Sequence, residues 1–288
     1  MQGDFFYPHP PASEFLVPCS IGFCFSAAGG RGMGRFADLS GKVAIVTGGA
    51  VGIGGAIGSA LAENGASVAV VDKDPIAAEK KAAELLALGA GSTAVVCDVT
   101  QSEQVRQMVE EVVQRYGRID ILVNCTGSMF GGKTTLTVSP EEWDGTFALC
   151  LRSHYLCARA VLPHMIERGW GRIVNISSDA GRLPVRLTSP AYAAAKAGVI
   201  GFTKHLALEV ARQGITVNAT VPGTTFTPRT RRTFALHPEW LREREERNPM
   251  GRLAVPEEQA GIVVFLASDE ARYITGAVME VTGGLLMT

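Results

Sequence analysis

From residue 42 onward, short apolar runs rich in β-branched residues alternate with longer amphipathic stretches of helical length. Continuous apolar runs, rather than alternating ones, are typical of strands that are covered on both faces. Strands that alternate with helices indicate βαβ units and a parallel sheet. The pattern therefore predicts an α/β domain, and the runs that predict its strands are KVAIVT, SVAVVD, STAVVCDV, IDILVNC, GRIVNIS and ITVNATVP.

Two segments depart from this rhythm. The first 38 residues contain four prolines and a glycine-rich AAGGRGMG, which predicts a flexible N-terminal extension ahead of one domain over 39–288. A signal sequence is disfavoured because acids but no Lys or Arg precede the apolar FLVPCSIGFCFSAA, and a true start at Met33 is the other alternative. Residues 224–252 carry prolines and many charges, and they predict a loop with a short helix that serves as a substrate lid.

Charge and cysteine content narrow the class of protein. A net charge of −1 over 288 residues gives no reason to expect a nucleic acid or a membrane surface as partner. No apolar run approaches the length of a membrane-spanning helix. The cysteines form no CxxC pair and no zinc-like cluster, so we predict no metal site and a reduced, cytoplasmic setting. The six cysteines are Cys19, Cys24, Cys97, Cys125, Cys150 and Cys157.

A glycine-rich turn follows the first predicted strand. In TGGAVGIGG, Gly48, Gly52 and Gly54 stand between a strand and a helix, with Ile53 between the last two. Glycine at this place lets the backbone approach a pyrophosphate, and the helix N-terminus supplies free N–H groups. The spacing differs from the commonest dinucleotide fingerprint, and a simple tight connection is the alternative. No Walker lysine follows, so an ATP-binding loop is disfavoured.

Two acids near the ends of the next strands bear on the choice of cofactor. Asp72 ends the second strand, where a carboxylate accepts hydrogen bonds from an adenosine ribose and repels a 2′-phosphate. The adjacent cation of Lys73 could soften that discrimination. Asp98, followed by Val99, ends the third predicted strand and could meet the adenine edge, or it could only cap the next helix. We therefore predict NAD in preference to NADP.

An alanine-rich segment, SPAYAAAKAG, carries a tyrosine and a lysine four residues apart. Tyr192 and Lys196 therefore share one face of a helix. An ammonium near a phenol favours the phenolate, whose usual pKa is about 10. The alanines keep the helix slim enough for a cofactor and a substrate to lie against it. The pair also arises easily by chance, but here it follows the fifth predicted strand, which ends in NISSDAG.

Taken together, these motifs resemble those of the short-chain dehydrogenase/reductase family, in particular its single-domain 3-oxoacyl-reductase-like type. The resemblance covers about residues 39–288 and rests on TGGAVGIG, CDV, NCTG, GRIVNISS, YAAAK, VNATVPG and YITGAVMEVTGG. It implies one doubly wound Rossmann domain with a seven-stranded parallel sheet. It also implies hydride transfer between a nicotinamide and a secondary alcohol or ketone, in a homotetramer or homodimer.

The resemblance assigns roles to individual residues. Tyr192 would be the general acid/base, and Lys196 would bind the nicotinamide ribose and lower the tyrosine pKa. The substrate oxygen would be held by Ser178 or by its neighbour Ser177, and Ser178 is favoured because the family's serine is normally the second of such a pair. Further cofactor contacts would come from Asn124, Gly127, Pro222, Gly223 and Thr227.

The chain departs from the family's pattern at two places. The usual Asn-Asn-Ala-Gly reads Asn124-Cys125-Thr126-Gly127 here, which changes little in volume. In the helix WDGTFALCLRSHYLCARAVLPHM, Cys150 stands where the family commonly has a proton-relay asparagine. A thiol is a poor partner for an ordered water, so a water chain to Lys196 would need another anchor.

The predicted substrate is a small molecule, and arginines leave its charge open. Near the mouth of the site they could meet a carboxylate, a phosphate or a coenzyme A tail, or they could form a solvated loop that nearby glutamates neutralise. These arginines are Arg182, Arg186, Arg229, Arg231 and Arg232. Two other functions stay open: a sugar-nucleotide epimerase or dehydratase, and a catalytically silent nucleotide-binding scaffold.

Overall fold

The computed structural model describes residues 37–128, 132–186 and 188–287. Seven parallel strands form one sheet in the order β3-β2-β1-β4-β5-β6-β7, which confirms the predicted doubly wound sheet. The strands are β1 (Val43–Thr47), β2 (Ser67–Asp72), β3 (Ser92–Val96), β4 (Ile121–Asn124), β5 (Gly171–Ile176), β6 (Ile215–Pro222) and β7 (Val278–Val281).

Helices cover both faces of the sheet. They are α1 (Gly52–Glu63), α2 (Pro75–Ala87), α3 (Ser102–Tyr116), α4 (Pro140–Phe147), α5 (Ser153–Arg168), α6 (Pro190–Val210), α7 (Pro228–Leu236), α8 (Pro238–Arg247) and α9 (Pro256–Ala267). A π-helical turn at Ala148–Arg152 joins α4 to α5. Among the described residues, no helix has the length and apolarity needed to cross a bilayer.

Alternate strand residues feed two separate apolar layers, as the pleat requires. In β1, Ala44 and Val46 pack into a layer formed with α1, α2 and α9. The intervening Val43 and Ile45 pack into a layer formed with α3, α5 and α6. Because both faces are covered, the strands are continuously apolar, which is why the unbroken runs in the sequence predicted them correctly.

The order of strands reverses direction at the centre of the sheet. β1 lies between β2 and β4, so the connections from β1 to β3 run one way and those from β4 to β7 run the other. In open parallel sheets, ligands bind at such a switch point, in the crevice beyond the carboxyl ends of the strands. The ends of β1, β4 and β5 are therefore the place to look for a site.

Three predicted boundaries differ from the structure. β3 ends at Val96, so Asp98 lies in the turn beyond the strand. The lid segment holds two helices, α7 and α8, rather than one short helix. Ala37 is buried, and its N–H donates to Asn64 Oδ1 at 3.2 Å, so the packed domain already includes residue 37. The rest of the predicted N-terminal extension lies outside the described residues.

Candidate active site

One elongated cleft of about 760 Å³ runs along the carboxyl ends of the strands. It begins at the ends of β2 and β3, passes over the glycine-rich turn and ends beneath the lid helices. Nearly every residue that the sequence predicted for the site lines it: Gly48, Gly52, Ile53, Gly54, Asp72, Asp98, Val99, Gly127, Ser178, Tyr192, Lys196, Pro222, Gly223 and Thr227.

The glycine-rich turn packs so closely that no side chain fits at its third glycine. A Cβ atom at Gly54 would lie 2.1 Å from the carbonyl oxygen of Gly48. The first turn of α1 therefore sits directly against the strand end, with its free N–H groups at the cleft floor. A Cβ at Gly52 would meet the Thr227 side chain at 3.4 Å, so Thr227 closes the turn from the lid side. This cradle fits a pyrophosphate.

The far end of the cleft carries both predicted acids. Asp72 is half-buried, and its oxygens accept from the N–H groups of Ala50 at 3.4 Å and Asp74 at 3.2 Å. Asp98 Oδ1 accepts from the N–H and hydroxyl of Thr100, and these bonds hold the pKa of Asp98 below its usual value. Lys73 is exposed beside them and also lowers the pKa of Asp98. Asp98 therefore interacts with the Lys73 cation, at the end of the cleft that Asp72 also lines.

The predicted catalytic residues converge at the inner end of the cleft. Tyr192 and Lys196 project from α6, which begins at Pro190. The Ser178 hydroxyl interacts with the Tyr192 phenol and acts to lower its pKa. Ser177 instead is buried, and its hydroxyl donates to the carbonyl oxygen of Lys196 at 2.8 Å. The structure thus places Ser178, not Ser177, beside the tyrosine.

A short helical turn, Asp179–Gly181, presses this serine onto α6. A Cβ at Gly181 would lie 2.7 Å from the carbonyl carbon of Lys196. Only glycine permits that approach, which brings the strand end and the helix backbone into direct contact. The Lys196 ammonium donates to the carbonyl oxygen of Ile176 at 2.7 Å, so β5 also fixes the lysine.

Burial is the largest influence on the electrostatics of the phenol. Burial raises the pKa of Tyr192 above its usual range; Cys150 and Asp179 raise it further, while Ser178 and Arg229 act to lower it. Lys196 Nζ lies 5.9 Å from the ring centroid and donates to the carbonyl oxygen of Ile176. The expected lowering of the tyrosine pKa by Lys196 together with an oxidised nicotinamide stays a prediction. Burial also lowers the pKa of Lys196 itself. These surroundings favour the protonated form of the Tyr192 phenol.

Asn124 is the predicted cofactor residue that does not line the cleft. Its side chain is buried, and Nδ2 donates to Asn175 Oδ1 at 2.9 Å. Asn175 in turn donates to the Thr203 hydroxyl at 2.9 Å. This chain of polar groups ties β4 and β5 to α6, so Asn124 supports the helix that carries Tyr192. The signal in the sequence was an asparagine near the end of each of two largely apolar runs.

The lid brings cations and aromatic rings over the mouth of the cleft. Arg229, Arg232 and Arg244 line it, together with Phe234, His237 and Trp240. Arg244 donates to the carbonyl oxygen of Arg186 at 2.8 Å, which fastens α8 beside the Ser178 segment. A bridge between Thr225 and Ala254 closes the base of the lid. Sequence reasoning missed Arg244, because its place depends on how α8 docks.

The other arginines that the sequence singled out point elsewhere. Arg182 pairs with Glu280 at 3.1 Å, and Arg186 pairs with Glu243 at 3.6 Å. Arg231 lies over the ring of Phe226 at 5.0 Å. Within the part of the chain that the structure describes, no cluster of three His, Cys, Asp or Glu side chains could hold a metal ion.

Comparison with known proteins agrees with this geometry. A family model described as enoyl-(acyl carrier protein) reductase matches residues 48–286. The 3-oxoacyl-(acyl-carrier-protein) reductase FabG of Thermotoga maritima is 40% identical over 86% of this chain and 99% of its own length. The chain belongs to the short-chain dehydrogenase/reductase family. It is an oxidoreductase of the ketoreductase type that uses a nicotinamide cofactor.

Further members of the short-chain dehydrogenase/reductase family show the same extent of likeness. The (2S)-((R)-hydroxy(phenyl)methyl)succinyl-CoA dehydrogenase subunit BbsD of Thauera aromatica is 37% identical over 85% of this chain and 97% of its own. The crystal structure of a short-chain type dehydrogenase/reductase from Mycobacterium marinum has a TM-score of 0.81 at 32% identity. That match covers 87% of this chain and 98% of the other.

Cys150 lies at the position where the family resemblance led us to expect an asparagine. The residue is fully buried within the π-helical turn, a feature that often marks functional sites. Its thiol donates to the carbonyl oxygen of Ser128 at 3.7 Å. A Cβ at Gly127 would lie 3.1 Å from Lys196 Nζ and 3.8 Å from Cys150 Sγ, so the thiol and the ammonium flank the same glycine.

Proposed function

We propose that this protein is an NAD(H)-dependent ketoreductase in which Tyr192 is the general acid/base. The observation that carries the proposal is the convergence of Ser178, Tyr192 and Lys196 at the inner end of a cleft that starts with a phosphate-binding turn. The glycine turn would hold the pyrophosphate, Asp72 would hold the adenosine ribose, and Pro222, Gly223 and Thr227 would line the nicotinamide.

Each of the chain's own groups has a distinct task in carbonyl reduction. When bound, the nicotinamide supplies or accepts the hydride. Tyr192 donates its phenolic proton to the carbonyl oxygen, and Ser178 holds that oxygen in place. Lys196 is fixed by Ile176 below the tyrosine, where it would meet the nicotinamide ribose. The raised pKa of Tyr192 keeps the phenol protonated at neutral pH, which favours the reductive direction.

The arginines of the lid favour the proposal that the substrate is anionic or thioester-linked. Arg229, Arg232 and Arg244 approach the mouth of the cleft, where arginine binds carboxylates and phosphates with paired hydrogen bonds. Several relatives are named for acyl-carrier-protein or coenzyme A thioesters. We therefore propose a small 3-oxo or 3-hydroxy acyl thioester as the substrate class, bound in a homotetramer or homodimer.

A turnover screen tests this function. Purified protein is assayed with NADH and NADPH against acetoacetyl-CoA and simple ketones, and with NAD and NADP against 3-hydroxybutyryl-CoA and secondary alcohols. Reduction of the thioester above the simple ketones supports the substrate class. A protein that binds NADH but oxidises or reduces none of these compounds would instead favour a nucleotide-binding scaffold.

Asp72 is predicted to set the cofactor preference. The wild-type enzyme should use NAD with a higher kcat/KM than NADP. Asp72→Ala should lower the ratio of kcat/KM for NAD to kcat/KM for NADP by about tenfold or more. The reason is that a hydrogen bond to a charged group contributes roughly 1.5–3 kcal/mol, and each 1.4 kcal/mol is about tenfold. Steady-state kinetics with both cofactors measures the ratio. Asp74→Asn, which keeps the cap of α2, is the control. A wild-type preference for NADP would show that Lys73 dominates instead.

Cys150→Asn is predicted to fold and to keep or raise kcat. Asparagine is similar in size to cysteine, and overpacking costs roughly 1–3 kcal/mol. The new amide could anchor a water beside Lys196, so the gain should be largest at lower pH, where loss of the tyrosine proton limits alcohol oxidation. pH–rate profiles of the wild type, Cys150→Ser and Cys150→Asn measure this, with serine between the other two. Loss of most activity at every pH in a folded Asn variant would mean that the thiol itself is needed.

A further inference from the structure

A buried carboxyl group lies directly behind the substrate-holding serine. Asp179 is only 5% exposed. Its Oδ1 accepts the hydroxyl proton of Ser178 at 2.8 Å and also accepts from the N–H of Ala180 at 2.8 Å. Its Oδ2 is buried and has no hydrogen-bond partner among the described residues. A buried polar atom without a partner is costly, so its retention beside the active site calls for a role.

The three oxygen-bearing side chains form a continuous line. The Tyr192 phenol interacts with Ser178, and the Ser178 hydroxyl donates to Asp179 Oδ1 at 2.8 Å. Gly181 locks this line in place, since its contact with the Lys196 backbone fixes the turn that carries the aspartate. Cys150, which also acts on the pKa of the phenol, offers only a thiol, and a thiol is a weak hydrogen-bond partner.

We propose that Asp179 is a positioning residue that accepts the proton leaving Tyr192, through the Ser178 hydroxyl, during alcohol oxidation. The inference rests on the proposed function. The O–H bond of Tyr192 breaks as its proton joins Ser178 Oγ, and the Ser178 proton passes to a carboxylate oxygen of Asp179. In the same concerted step, the Tyr192 oxygen takes the proton of the substrate hydroxyl, and a bound nicotinamide would accept the hydride that leaves the carbinol carbon. Asp179 returns its proton to water at the mouth of the cleft.

The charges around Asp179 suit an exchangeable proton. Burial raises its pKa, whereas its hydrogen bonds and the guanidinium groups of Arg244 and Arg247 on α8 lower it. From α6, the neighbouring titratable group is Tyr192. Arg244 lies at the cleft mouth, fastened to Arg186, so the carboxyl group stands between the reacting centre and the solvent side of the lid.

The test compares Asp179→Asn with the wild type in the oxidation of racemic 3-hydroxybutyryl-CoA by NAD. Asparagine keeps the size of the side chain and an acceptor for Ser178, but it cannot take up a proton at neutral pH. We expect kcat to fall roughly 10- to 100-fold, less than the 10²–10⁴-fold typical of a direct acid/base group, with KM within about twofold. The acid limb of the wild-type kcat profile, which reports protonation of the carboxylate, should disappear.

Two further measurements separate proton transfer from a merely structural role. Sodium formate should restore part of the activity of Asp179→Ala, because a small carboxylate can occupy the space and accept the proton. Glu280→Gln is the control, because Glu280 is also a partly buried acid but pairs with Arg182 rather than with Ser178. This variant should retain the wild-type pH profile. If Asp179→Asn keeps the acid limb and formate rescues nothing, the inference is wrong.

A measurement without substrate checks the state of the carboxyl group. Its folded pKa is raised above the unfolded value, so the buried charge should reduce stability increasingly as pH rises through that range. The Tm of Asp179→Asn minus that of the wild type should therefore grow between about pH 4 and pH 7. Turnover that Tyr192→Phe abolishes supports the proposed function by itself, so a normal Asp179→Asn profile would overturn only this inference.

Discussion

Replacing Tyr192 with phenylalanine is expected to lower kcat by roughly 10²–10⁴-fold, the contribution typical of a general acid/base. The ring of Tyr192 is buried on α6, so phenylalanine fills the same space and removes only the hydroxyl. Ser178 and Lys196 keep their contacts with the Asp179 turn and with Ile176. Without the phenol, the carbonyl oxygen has no proton donor at the place where negative charge develops during reduction.

Acetoacetyl-CoA reduction with NADH measures this loss, and NADH fluorescence titration should give a Kd within about twofold of the wild type. Tyr273→Phe is the matched control, because that ring is fully exposed and distant from the cleft lining. A Tyr192→Phe enzyme with near-normal kcat would remove this residue from the chemistry. A simultaneous loss of NADH binding would show that the substitution disturbs the helix rather than the proton donor.

Gly54→Ala is expected to cost the protein both cofactor affinity and stability. The added Cβ would stand 2.1 Å from the Gly48 carbonyl oxygen, a backbone atom that cannot rotate away. Either α1 or the turn must shift, at roughly 1–3 kcal/mol or more. Expressed as lost cofactor binding, that range corresponds to about 5- to 140-fold in Kd.

Calorimetric unfolding and NADH titration measure the two effects of Gly54→Ala. The control is Gly201→Ala: Gly201 lies exposed within α6 and has no atom within 4 Å of a new Cβ. That variant should be slightly more stable, by about 0.5–1 kcal/mol, because alanine favours helix over glycine. If Gly54→Ala binds NADH as tightly as the wild type, the glycine-rich turn does not hold the pyrophosphate.

Local sequence patterns predicted the strands of the sheet and the helix face that carries the Tyr192/Lys196 pair. Apolar runs indicate covered strands because the parallel sheet is buried on both faces, and the four-residue spacing put Tyr192 and Lys196 on one helix face. The family resemblance favoured Ser178 over Ser177, and the structure shows the physical difference between them: Ser177 donates to the carbonyl oxygen of Lys196, whereas Ser178 interacts with Tyr192. The sequence placed Asn124 at the cofactor, whereas side-chain pairing across β4 and β5 turns it away from the cleft.

The sequence could not predict features that depend on how helices dock or on which side chains are buried. Arg244 reaches the cleft only because α8 packs beside Arg186, far away along the chain. Asp179 reads as an ordinary polar residue after a strand until its burial and its bond to Ser178 are known. The pKa of Tyr192 depends on desolvation, which outweighs the lowering by Ser178 and Arg229 and which no local pattern reveals.

The bridge between Thr225 and Ala254 has an evolutionary consequence. It joins the two ends of the lid to each other, so the residues between them form a loop with anchored ends. The entropy of closing such a loop grows only slowly with its length. Insertions, deletions and new side chains between these anchors can therefore accumulate with little cost to the sheet or to the cofactor cradle. Selection can in this way exchange one substrate for another while the catalytic apparatus is inherited unchanged.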